Sequence, residues 1–157
     1  MGFGVCGVLG AKLAAPDRPC IAVVGDGGFT MTPYVLCTAA EYELPCIWIV
    51  WNNFAWGAIR DLQYGLFEGR EHGTAFYRGN ERYNPDFAAW ARACGVDGVT
   101  VKNPGDLSGA IEAAIAANRP CLIDVHVDAE VRPPSTGTWQ LPPIPYKEPA
   151  FGAPWRP

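Results

Sequence analysis

The stretch Val23-Val24-Gly25-Asp26-Gly27-Gly28 places one carboxylate among three glycines, directly after an apolar run that begins at Cys20. A second polar pair, Asn52-Asn53, follows the apolar run 46–51, with 24 residues between Gly27 and Asn52. An aspartate carboxylate and an asparagine carbonyl are hard oxygen donors, the kind Mg²⁺ takes when phosphate oxygens and water complete its octahedron. Gly25, Gly27 and Gly28 let backbone N–H groups approach an anion and leave room that a Cβ would fill. Asp-Gly alone is equally a common turn. A second oxygen donor at the end of the next apolar run shifts the reading toward a metal-bridged diphosphate.

The elements that must hold these residues follow from periodicity. Residues 2–14 predict a helix with Leu9 and Leu13 four apart, and 20–24 a strand. Residues 30–43 predict a helix with Pro33 in its first turn, and the uniformly apolar run 46–51 a strand covered on both faces. A helix is expected over 55–66 and a long loop over 68–83. Asn84-Pro85 opens a helix carrying Phe87, Trp90, Ala91 and Cys94 on one face, followed by a strand over 98–101. A helix over 104–117 with Asn103 as its cap and a strand over 121–127 complete the series. This alternation predicts an α/β fold, a doubly wound parallel sheet with helices on both faces. Asp26 and Asn53 then lie at the carboxyl edge of the sheet, where open α/β sheets bind ligands. The helix beginning near Thr30 would direct its positive end to the same place. Residues 1–128 form the expected domain, and 129–157 a proline-rich extended tail.

Composition narrows the classes. The 157 residues carry 12 basic and 16 acidic side chains without a run of like charge, which argues against a nucleic-acid partner. The six cysteines form no C-x-x-C pair and sit mostly in apolar runs, as buried thiols of a reducing cytoplasm would. The apolar opening has no basic start, and no stretch is long enough to span a membrane. No G-x-G-x-x-G fingerprint and no Walker-type lysine accompany the glycines, which weighs against a dinucleotide or P-loop nucleotide site.

G-D-G, 24 residues, then N-N resembles the cofactor motif of thiamine-diphosphate enzymes of the acetolactate synthase and pyruvate decarboxylase superfamily. The opening MGFGVCGVLGAKLAAP is similar to the helix these enzymes place before that motif. The resemblance covers about residues 1–128 and implies their thiamine-diphosphate-binding fold, truncated at its amino end. It also implies thiamine diphosphate and Mg²⁺ as cofactors. Asp26, Asn53 and the Ala55 carbonyl become the metal ligands; Gly25, Gly27, Gly28, Phe29 and Trp56 lie beside the cofactor. The implied reaction is decarboxylation or carboligation of a 2-oxo acid. A plain decarboxylase, a sulfoacetaldehyde acetyltransferase-like enzyme and a non-catalytic cofactor-binding subunit are the alternatives. The glutamate that such enzymes supply from a pyrimidine-binding domain matches no position here. Activity is therefore expected to need a further chain or domain, in an oligomer.

Trp56 and Arg60 are the candidates for the substrate side. Each has a plain structural reading as well, Trp56 as core and Arg60 as a solvated or salt-bridged helix residue. Trp48 and Trp51 are assigned to the sheet rather than to a ligand, and His126, between Val125 and Val127, to structure.

Overall fold

The computed structural model describes residues 1–131. Helix α1 (Phe3–Ala14) leads into strand β1 (Cys20–Gly25), and the short α2 (Asp26–Phe29) and α3 (Val35–Glu41) lead into β2 (Cys46–Asn52). Helix α4 (Gly57–Leu66) and the strands β3 (Phe76–Arg78) and β4 (Glu81–Tyr83) precede α5 (Phe87–Ala93). Strand β5 (Asp97–Val101), a 3₁₀ turn at Pro104–Asp106, α6 (Leu107–Ala117) and β6 (Cys121–His126) follow.

β1, β2, β6 and β5 form, in that spatial order, a parallel sheet, while β3 and β4 pair as an antiparallel hairpin. Successive strand residues face opposite sides. Cys20, Ala22, Cys46, Trp48, Val50 and Leu122 meet α1, α3 and α5 through Val5, Val8, Leu36, Phe87 and Ala91. On the other side Ile47, Ile49, Ile123 and Val125 meet α6 through Ala114, Leu107 and Ile111. The helices on both faces are those the sequence predicts. The Trp48 indole, fully buried, donates to the Val5 carbonyl at 2.9 Å and ties α1 to the sheet centre. At Gly98 a Cβ would run into the Ala88 carbonyl, so α5 approaches β5 closely only because no side chain intervenes.

Several boundaries differ from expectation. The helix expected over 30–43 forms only in its later part, as α3: α2 already ends at Phe29, and Thr30 to Tyr34 pass through turns. Pro33 has no N–H to continue an earlier helix. The loop expected over 68–83 contains the β3–β4 hairpin. The helix read from Asn84-Pro85 starts at Phe87, because the Asp86 carboxylate caps it by accepting from the Ala89 N–H at 2.8 Å. Asn103 precedes a 3₁₀ turn and donates to the Asp106 carboxylate instead of capping a backbone N–H. No described helix is long and apolar enough to cross a membrane. The tail's described part ends at Val131; its prolines, from Pro133 on, lie outside the described residues.

Candidate functional site

Strand β1 ends at Gly25, and Asp26 starts the turn of helix that follows. Asp26 is buried, 4% exposed. Oδ1 accepts from the Gly27 N–H at 2.8 Å, and Oδ2 accepts from the Ala55 N–H at 3.1 Å and the Asn84 side-chain amide at 2.7 Å. Burial pushes the Asp26 carboxyl above its ordinary value, opposed by the bonds from Gly27, Asn84 and Ala55.

Strand β2 ends at Asn52, and the chain turns sharply: Phe54 lies at φ 58°, in the left-handed region. This rare conformation for a bulky residue is held by the Phe54 N–H, which donates to Asn52 Oδ1 at 3.1 Å, and by edge-on packing of its ring against His126. The turn aims the Ala55 N–H at two oxygens at once, Asp26 Oδ2 and, at 3.2 Å, Asn53 Oδ1. One carboxylate and one neutral amide oxygen, from motifs at the ends of adjacent strands, thus converge on a single point. The Ala55 carbonyl accepts from Gly57 N–H at 2.9 Å.

A cavity of about 920 Å³ opens over this edge, lined by Gly25, Asp26, Gly27, Gly28, Asn53, Ala55, Trp56 and Arg60, together with Trp51 and Val23. A Cβ at Gly27 would strike the Trp56 indole, whereas one at Gly28 would meet nothing within 4 Å. Gly27 is therefore required by packing, and Gly28 leaves open space. Trp56 closes over Gly27 with its backbone N–H fixed on the Thr74 carbonyl at 2.7 Å, and stays 41% exposed at the cavity wall.

Of the residues the sequence assigns to the cofactor or substrate side, Phe29 turns its side chain away from the cavity. It is fully buried and packs edge-on against Phe87 and Trp90. The positive end expected from a helix near Thr30 is replaced by the single turn of α2. Arg60 lines the cavity but each of its three nitrogens already has a partner: it bonds Glu130 at 2.7 Å, Glu71 at 3.3 Å and the Ala129 carbonyl at 2.6 Å. Arg82 bonds the same two glutamates. Trp48 is in the core as read, but Trp51, near the end of β2, is half exposed and lines the cavity. His126 contacts Asp124 and Phe54. Sequence reasoning missed Asn84; its signal was the Pro85-Asp86 pair, which moves the helix start and frees the preceding side chain.

Comparison with known proteins agrees with this fold. The family model of the thiamine pyrophosphate enzyme, C-terminal TPP binding domain, matches residues 1–125. The chain is 33% identical to a probable acetolactate synthase large subunit of Methanococcus aeolicus, over 91% of this chain and 22% of that protein. It is 32% identical to a sulfoacetaldehyde acetyltransferase of Alcaligenes xylosoxydans xylosoxydans, over 85% of this chain and 23% of that one. A thiamine diphosphate-dependent 4-hydroxybenzoylformate decarboxylase of Rhodococcus jostii RHA1 superposes with a TM-score of 0.73 at 34% identity, covering 82% of this chain and 23% of the other. The chain belongs to the thiamine pyrophosphate enzyme family, through its C-terminal TPP-binding domain. It spans under a quarter of the length of these relatives.

Proposed function

We propose that residues 1–128 supply the diphosphate and Mg²⁺ half of a site for thiamine-diphosphate-dependent decarboxylation or carboligation of a 2-oxo acid. The observation that carries this reading is the bond from the Ala55 N–H to the buried Asp26 carboxylate, which joins the G-D-G and N-N stretches at one cavity. The donor set fits the group: Asp26, the Asn53 side-chain oxygen and the Ala55 carbonyl are hard oxygens suited to Mg²⁺. A bound dication would offset the cost of keeping the Asp26 carboxylate charged while buried. The backbone of Gly25, Gly27, Gly28 and Phe29 would hold the diphosphate, with the open space at Gly28 leaving room for it.

Bound thiamine diphosphate supplies the electron sink that lets a 2-oxo acid lose carbon dioxide or add to a second carbonyl. This chain's residues fix the metal and diphosphate, and Trp56 walls off the space above Gly27. Arg60 acts through the chain that it holds, since its guanidinium already serves Glu71, Glu130 and Ala129. The relatives named above carry out different reactions, so the substrate is read only as a 2-oxo acid, handled in the cytoplasm.

No glutamate lines the cavity among the described residues, and Val23 and Trp51 beside it are 65% and 48% exposed. These features support an oligomer in which a domain or chain bearing the pyrimidine-binding glutamate completes the site. They equally favour a second reading, a cofactor-binding subunit without turnover of its own. Titration of the chain with thiamine diphosphate and Mg²⁺ tests the site. Assay of 2-oxo acid products with a glutamate-bearing partner chain then separates carboligase (acyloin), decarboxylase (aldehyde) and inert binder (neither).

A further inference from the structure

Behind the Asp26 carboxylate runs a chain of side-chain hydrogen bonds that ends on a second buried carboxylate. Asn84 Nδ2 donates to Asp26 Oδ2 at 2.7 Å and to Asn52 Oδ1 at 2.9 Å. Asn52 Nδ2 donates to Asp124 Oδ1 at 3.0 Å, and Asp124 Oδ2 lies 3.3 Å from His126 Nε2. Asn52 and Asp124 are each 1% exposed.

With both carboxylates charged, the direction of each amide hydrogen bond follows. A carboxylate accepts and never donates when charged, so Asp26 and Asp124 each demand an N–H. Asn52 must give its amide nitrogen to Asp124, which turns its oxygen toward Asn84. Asn84 must then present its nitrogen to both Asn52 and Asp26, using both of its protons. Parallel pairing places Asn52 beside His126 and Val50 beside Asp124, so the sheet itself fixes Asn52 and Asp124. Asn84 comes from outside the sheet, in the short segment between the β3–β4 hairpin and the Asp86 cap of α5. With Asn52 pinned by Asp124, Asn84 has one low-energy orientation, and that orientation holds Asp26 Oδ2.

We propose that Asn84 is a positioning residue of the cofactor site. Anchored through Asn52 on Asp124, it locks the rotation of the Asp26 carboxylate so that this group is already set to receive a divalent metal. The functional part of this inference rests on reading Asp26 as a metal ligand. The mechanical part, that Asn84 fixes Asp26, does not.

The test uses amide hydrogen exchange of the ¹⁵N-labelled, cofactor-free chain, followed by Mg²⁺ titration at fixed thiamine diphosphate. Gly27 and Ala55 report on Asp26 because their N–H groups donate to it, and Val50 and Ile123 in the sheet serve as references. In Asn84→Ala, exchange at Gly27 and Ala55 is expected to rise about tenfold with the references unchanged, and half-saturating Mg²⁺ to rise about tenfold. Asn84→Ser, which keeps one donor, is expected to fall between that variant and the native chain. Unchanged exchange at Gly27 and Ala55 would overturn the proposal. So would an equal rise at all four amides in both variants, which marks a merely structural role. Local loosening together with unchanged Mg²⁺ dependence would overturn the functional part alone. Cofactor binding by the native chain that is independent of Mg²⁺, with the local exchange effect intact, would refute the metal-ligand reading of Asp26 while leaving the Asn84 lock standing.

Discussion

Asp26 and Ala55 lie 29 residues apart in sequence, and the Ala55 N–H donates to the Asp26 carboxylate at 3.1 Å. This bond closes the turn after β1 onto the turn after β2, so the two motifs share one wall of the cavity. The left-handed Phe54 makes it possible by reversing the chain within two residues of β2.

Gly27 and Gly28 separate two kinds of requirement. Gly27→Ala forces the Trp56 indole aside, and is expected to lower stability by about 1–3 kcal/mol in denaturant unfolding, the usual range for overpacking. Gly28→Ala meets open space, so its stability should stay within about 0.5 kcal/mol of the native chain. Its effect is expected instead on diphosphate affinity, which the added methyl would reduce in a binding titration. Equal unfolding costs for both would contradict the contrast.

Arg60 joins α4 to Glu71 in the following loop and to the segment leaving β6, by three contacts that fan out from a planar fork. Lysine carries its three donors on a single nitrogen and cannot reproduce the fan. Arg60→Lys is therefore expected to behave like Arg60→Ala, with faster exchange at Trp56, whose N–H rests on Thr74 next to this network. Rescue by lysine would show that charge alone suffices.

The same network has a pH signature. Hydrogen bonding from Arg60 holds the Glu130 carboxyl below its ordinary 4.5, with Arg82 adding to it. A depressed carboxyl contributes stability that is present above 4.5 and lost as pH falls through the lowered value. Protection of the Arg60 guanidinium protons should decline over that acid range, and Glu130→Gln should remove this pH dependence. A profile unchanged by the substitution would contradict the assignment.

Thiol reactivity should follow burial. Burial pushes both the Cys46 and Cys121 thiols up to about 11, whereas Cys6 and Cys37 are exposed. Alkylation of the native chain near pH 8 is expected to label Cys6 and Cys37 and spare Cys46 and Cys121. Mass spectrometry of the digested protein reads the pattern, and early labelling of Cys46 would contradict the packing of α1 on the sheet.

Much of the site was legible because its signals are local. Apolar runs ending in Gly25 and Asn52 mark parallel strands, and a carboxylate or amide just past such an end lies at the ligand edge. The hairpin over 76–83 escaped because its strands are only three residues long and largely exposed, so no alternation of buried and exposed positions marks them. Arg60 was readable as charged but not as buried, since Glu130 lies 70 residues away and is brought near only by the return of the chain after β6. Asn84 shows the same limit: its bond to Asp26 spans 58 residues, and its freedom depends on a cap two positions later. Local spacing encodes elements and their edges, whereas side chains joined across the sheet edge depend on tertiary geometry.

The most direct test is calorimetric titration of the purified chain with thiamine diphosphate, with and without Mg²⁺, repeated with Asp26→Ala. Saturable binding that requires Mg²⁺ and is lost in the variant is the predicted result. Binding that persists unchanged in Asp26→Ala, or that ignores Mg²⁺, would contradict a metal-bridged diphosphate site at the Asp26–Asn53 edge.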